Sequence, residues 1–100
     1  MGIVERFLKY VSFCTTSDEN TGMTPSTPGQ LEFAKYLAKE LKSIGLTEVT
    51  LDDNGYIMAT LEPTPTLPEG NENIPVVGFI AHMDTSPDAS GKHVKASVIR

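Results

Sequence analysis

Tryptophan is missing from this 100-residue chain, and cysteine occurs once, at Cys14. A lone cysteine cannot close an internal disulfide, so the expected compartment is a reducing one, the cytoplasm. No apolar run approaches the roughly 18 residues that a membrane helix requires, so no membrane partner is expected. The opening Met-Gly-Ile-Val-Glu-Arg lacks the apolar core of a secretory signal. Gly2 invites a myristoylation reading, but Arg6 stands where that motif wants Ser or Thr. Basic residues are few: 8 Lys and Arg against 13 Asp and Glu give a net charge of −5. With no basic run either, the composition argues against nucleic acid as the main partner. What is present is ordinary: 39% hydrophobic and 21% charged residues, a balance that can pack. The length suits one small domain, or a piece of a larger one, burying roughly two-thirds of its unfolded surface.

The shortage of basic residues is local as well as global. Between Ser43 and Gly91 there is no Lys or Arg, while Glu48, Asp52, Asp53, Glu62, Glu69, Glu72, Asp84 and Asp88 all fall there. Such a stretch reads first as a solvated, solubilising face. Its functional alternative is a negative basin suited to metal ions or a free amino terminus. Composition does not choose between them.

Residues 2 to 13 read as a helix with a narrow apolar stripe of Val4, Phe7, Leu8 and Val11. A polar loop follows from Thr15 to Pro28. The second helix has clear punctuation: Thr27 as N-cap, Pro28 at the first helical position, and a Thr27-x-x-Gln30 capping box. Leu31, Ala34, Leu37, Ala38, Leu41 and Ile44 form its apolar face, Lys35, Lys39 and Lys42 face water, and Gly45 closes it. Thr47 to Leu51 and Tyr56 to Leu61 alternate as strands around Asp53-Asn54-Gly55, the signature of a type I′ hairpin. Glu62 to Asn73, rich in proline, reads as a surface loop. Ile74 to Ala81 is almost wholly apolar, as a central strand buried on both faces would be, and Gly78 within it would allow close backbone approach. Val94 to Ile99 resembles the start of a further element. The fold class expected is α/β: two helices, a β-hairpin and a buried central strand.

In open α/β sheets, ligands bind where loops leave the carboxyl ends of strands. His82 and Asp84 stand there, two residues apart, straight after the apolar run. An imidazole nitrogen of His82 could ligate a divalent metal while Asp84 receives its other ring N–H. The plainer reading is a strand-end His bonded to a loop, with Asp84 capping a turn before Ser86-Pro87. A bare His-x-Asp favours the plainer reading.

The whole string His82-Met83-Asp84-Thr85-Ser86-Pro87-Asp88 shifts that balance. It resembles the His-x-Asp-Thr-Ser-Pro-Asp segment of the peptidase T group of tripeptide aminopeptidases, in the M20 family of dinuclear zinc peptidases. Glu5 to Ser12 looks like that family's first helix, and Pro25 to Gln30 like the start of its second. Asn54 to Leu61 resembles its first hairpin, and Gly78 to His82 its metal-bearing strand. These segments follow family order across essentially the whole chain.

The resemblance implies the following. His82 would bind one of two zinc ions, and Asp84 would be the catalytic auxiliary that orients it. Hydrolysis would be metal-assisted, with a Glu as general base. The other ligands, the Glu pair and an inserted lid or dimerisation domain match nothing in residues 1–100. Those residues would thus be the N-terminal fragment of a catalytic domain, with at most one zinc ligand and no activity alone. Substrates would be tripeptides, and a homodimer is one assembly that would cover a half-finished sheet.

Three other features have plain readings. His93 matches no family ligand and reads as a solvated surface His, while Asp88 is assigned loop ordering. Cys14 reads as a buried small apolar residue, and Met23, Met58 and Met83 as fillers. Two rival functions remain: a stand-alone binding module that docks a partner through an exposed strand edge, and a one-zinc binding protein.

Overall fold

The computed structural model describes residues 2–64 and 74–100. Its element order is α1 (Ile3–Tyr10), α2 (Pro28–Ser43), β1 (Thr47–Leu51) and β2 (Ile57–Thr60). The fold class is α/β, two helices beside a two-stranded antiparallel sheet. Among the described residues, no helix is long and apolar enough to cross a membrane.

α2 is the organising element. Thr27 has the extended backbone of an N-cap and Pro28 opens the helix. The expected capping box does not form: Thr27 makes no side-chain bond to the helix, the Gln30 N–H going to the Thr27 carbonyl (3.3 Å) while the Thr27 hydroxyl donates to the Thr16 carbonyl (2.8 Å). The C-terminus follows the sequence closely. Gly45 takes φ +102°, and its N–H reaches the Lys42 carbonyl (3.2 Å) while the Leu46 N–H reaches Leu41 (3.1 Å). This paired bonding satisfies carbonyls that the helix end would otherwise orphan. Lys35, Lys39 and Lys42 are exposed, as expected.

Phe33 and Ala34 are the buried apolar residues among those described, at 7% and 0% exposure. Tyr10 meets Phe33 edge-on with ring centroids 5.4 Å apart, and Phe13 stacks on Phe33 at 5.0 Å. α1 is therefore held by its C-terminal aromatics rather than by the expected stripe. It also ends at Tyr10, short of the predicted 13; Phe13 docks on α2 from the turn beyond. Val4, Phe7 and Leu8 remain exposed. The Tyr10 hydroxyl donates to the Glu40 carboxylate, with Arg6 Nε 3.6 Å from the same group. Burial, reinforced by that bond, pushes the Tyr10 phenol up to about 12.

β1 and β2 pair with Leu51 opposite Ile57 and Thr47 opposite Thr60, with an irregularity between Thr47 and Thr50 where Glu48 adopts φ 51°. The turn is not type I′, since Gly55 (φ +85°) alone of Asn54-Gly55 has positive φ. The Gly55 N–H reaches the Asp52 carbonyl (3.1 Å), and the Asp52 carboxylate accepts from the Asn54 and Tyr56 amides (both 2.9 Å). That is a three-residue loop with a glycine bulge, selected because the Asp52 side chain supplies acceptors that a two-residue turn would not use.

The largest correction concerns Ile74 to Ala81. It forms no strand, and Val76, Phe79 and Ile80 stand 99%, 95% and 102% exposed. Hydrophobicity records a segment's demand for burial, but a central strand exists only where neighbours accept its N–H and C=O groups. Among the described residues none lies alongside. Gly78 accordingly meets no close backbone, and Val94 to Ile99 forms no element. The loop reading for Glu62 to Asn73 lies outside the described residues from 65 to 73.

Candidate metal-ligand site

His82 and Asp84 are brought together as the sequence suggested. His82 Nδ1 lies 2.9 Å from the Asp84 carbonyl oxygen and 3.1 Å from its Oδ1. Facing two acceptors, Nδ1 must carry the proton, which leaves Nε2 with the lone pair in the neutral ring. The imidazole is exposed, at 84%, so Nε2 is accessible. Fixing a tautomer with a carboxylate is how a histidine ligand is commonly aimed at zinc.

The position of this pair is set from far away in sequence. Thr85 makes a parallel bridge to Thr16: its N–H donates to the Thr15 carbonyl (3.1 Å), and its carbonyl accepts from the Ser17 N–H (2.9 Å) and hydroxyl (3.2 Å). A cleft of about 480 Å³ lies beside it, walled by Met23–Ser26, the hairpin turn Asn54–Ile57 and Ile80–Asp84, with Gln30 in the lining. The wall is mostly apolar, with Thr24, Ser26, Gln30, Asn54, His82 and Asp84 as its polar residues, a composition typical of small-ligand clefts.

The negative basin dissolves into local jobs. Asp52 caps the hairpin turn, Glu62 accepts from the Thr47 hydroxyl (2.9 Å), and Glu48 lies 3.4 Å from that of Thr60. Among the described carboxylates of that basin, Asp84 lines the cleft. His93 is exposed and joins no cluster. Asp88 contributes its N–H to Ser86 Oγ (3.2 Å), a local turn. Cys14 is half-buried rather than buried, with Sγ 3.9 Å from Thr16 Oγ1.

Zinc sites use three or four protein ligands. Among the described residues, no three His, Cys, Asp or Glu side chains converge. His82, with Asp84 against its ring, offers one such ligand. Sequence reasoning missed Thr15, Ser17 and Gln30, which hold the segment. Thr27-x-x-Gln30 was the visible signal, but it pointed to helix capping.

No family model matches the chain. Peptidase T of Parabacteroides distasonis is 57% identical over 99 residues, covering 99% of this chain and 23% of that protein. Peptidase T of Caldanaerobacter subterraneus subsp. tengcongensis is 58% identical over 97 residues, 97% of this chain and 22% of its own length. Peptidase T of Bacillus cereus is 53% identical over 96 residues, again 22% of its length. The chain thus spans less than a quarter of these curated relatives while matching them along nearly all of its own sequence. Over the N-terminal region that it represents, it belongs to the peptidase T family.

Proposed function

We propose that residues 1–100 act as the first part of the catalytic domain of a cytoplasmic, zinc-dependent aminopeptidase. In this reading the complete protein removes the N-terminal residue from tripeptides. The observation that carries it is the His82–Asp84 pair, with Nδ1 engaged by Asp84 and Nε2 exposed on an apolar cleft, within a sequence 53–58% identical to peptidase T.

His82 Nε2 is the metal-ligating atom in this reading, and Asp84 holds the ring so that this nitrogen faces the cleft. Zinc, when bound, supplies a Lewis acid that polarises the scissile carbonyl and lowers the pKa of a water. The remaining ligands and the general base come from other parts of the complete protein, so residues 1–100 alone are inactive. The cleft wall of Met23, Pro25, Tyr56, Ile57 and Ile80 offers apolar contact to a peptide. Peptides are the substrate class. The open faces of α1 and Ile74 to Ile80 favour packing against the rest of that protein, and a homodimer extends the same reading.

The test is His82→Ala in the complete protein, with zinc content and tripeptide hydrolysis measured together. Turnover should fall by at least about a hundredfold with far-ultraviolet circular dichroism unchanged, as expected when an exposed ligand is lost. Wild-type turnover in the purified variant would refute the assignment.

A further inference from the structure

The helix-start motif of α2 is not spent on the helix. Gln30 directs its side-chain amide away from the Thr27 backbone, to the Thr15 carbonyl (3.4 Å) and to Ser26 Oγ (3.1 Å). Gln30 and Thr15 are the buried polar residues among those described, at 7% and 4% exposure. Burying a primary amide is unfavourable unless its hydrogens are accepted, so this geometry is specified rather than incidental.

The Thr15 carbonyl oxygen has a second donor, the N–H of Thr85 at 3.1 Å. One oxygen, using both lone pairs, therefore links Gln30 to Thr85. Thr85 follows Asp84 directly, and the bridge through Ser17 fixes its other side. The preceding residue of α2 reinforces the arrangement: a Cβ on Gly29 would lie 1.9 Å from the Cys14 carbonyl oxygen, so helix and loop are in backbone contact there.

We propose that Gln30 is a positioning residue for His82. Through the shared Thr15 carbonyl it sets where the chain runs at Thr85, and so the direction in which Asp84 aims the imidazole. The functional consequence rests on the metallopeptidase reading above; the geometric linkage does not. A glutamine that merely stabilised the 14–17 loop would affect stability and leave the aim of Nε2 unchanged.

The experiment uses the complete protein with Gln30→Met, which keeps the length of the side chain and its helix propensity but removes the donor. Amide hydrogen exchange, zinc affinity by chelator competition, and kcat and KM on a tripeptide are read together. Exchange at the Thr85 and Ser17 amides should rise about tenfold or more, while amides around Phe33 and Ala34 keep their protection. Zinc affinity should fall about 10–100-fold, the range for losing a partner behind a metal ligand, with the kinetic loss in kcat rather than KM. Thr85 exchange and zinc affinity within twofold of wild type would overturn the proposal. So would a loss of protection throughout α2 that accounts for the weaker zinc binding. Should Gln30→Met not fold, Gln30→Ala removes the same donor with a stronger helix former: faster Thr85 exchange with α2 unchanged supports the linkage, and unchanged Thr85 exchange overturns it. His82→Ala in the same zinc titration separates the two ideas. Undiminished zinc binding there would sink the metal reading, while the Thr85 exchange data would still decide what Gln30 does.

Discussion

Gly29→Ala should open the contact between α2 and the loop that supports Thr85. The alanine Cβ would sit 1.9 Å from the Cys14 carbonyl oxygen, where real contacts do not fall under 3.0 Å, so helix and loop must part by about 1.1 Å. The obstacle is backbone, which cannot swing aside as a side chain would. Displacement on that scale carries Thr27 Oγ1 to Thr16 O (2.8 Å) and Gln30 Nε2 to Thr15 O (3.4 Å) past hydrogen-bonding range. Each such bond contributes about 1 kcal/mol, and leaving one hydrogen of the buried Gln30 amide without an acceptor adds about 1–3 kcal/mol. Replacing a helical glycine by alanine returns about 1 kcal/mol. The net local destabilisation is about 2–4 kcal/mol, or roughly a 30–900-fold larger open population. Native-state proteolysis reads this directly, because cleavage of a transiently opened segment tracks the open population when closing is fast. Cleavage between Phe13 and Met23 should accelerate by that factor. A rate within threefold of wild type would show that the loop yields without losing its bonds, and the steric reasoning would be wrong.

Two further outcomes follow from the aromatic cluster. Phe33→Ala should cost about 3–5 kcal/mol and detach α1, since both Tyr10 and Phe13 rest on that ring; a near-ultraviolet circular dichroism signal still carrying the packed tyrosines would contradict it. Tyr10 should titrate near 12, and Tyr10→Phe should delete that step from the absorbance at 295 nm. The folded phenol is raised above its ordinary 10.0, so its contribution to stability is complete below about pH 10 and is lost as pH rises through about 12. A tyrosine ionising near 10 in its place would show that burial and the Glu40 bond do not act on it.

Local elements were legible where their causes are local. Pro28 opening α2 and Gly45 closing it depend on φ preferences and on the geometry of a single helix end, so neighbouring residues suffice to specify them. The hairpin between Thr47 and Thr60 was equally readable, but its turn was not. Asn54-Gly55 suggested a type I′ turn, yet the Asp52 carboxylate, two residues before that pair, captured two amides and lengthened the loop. The capping box failed for a related reason. Thr27 and Gln30 found acceptors in Thr15 and Thr16, which helix-start statistics do not see.

For the candidate site, the sequence by itself determined the residue types and their spacing. His82 and Asp84, two apart after an apolar run, were visible together with the string that links the chain to peptidase T, and the turn brings Nδ1 to Asp84 through contacts spanning only two residues. Tertiary structure alone decided what holds that turn. Thr85 pairs with Thr15 and Ser17 across nearly seventy residues, a contact with no periodicity or motif to announce it. It also decided the state of Ile74 to Ile80, whose apolar side chains demand burial while no described strand lies beside them. Local geometry is encoded by the residues that adopt it, whereas burial and ladder bonds belong to pairs of segments and depend on which partners are there.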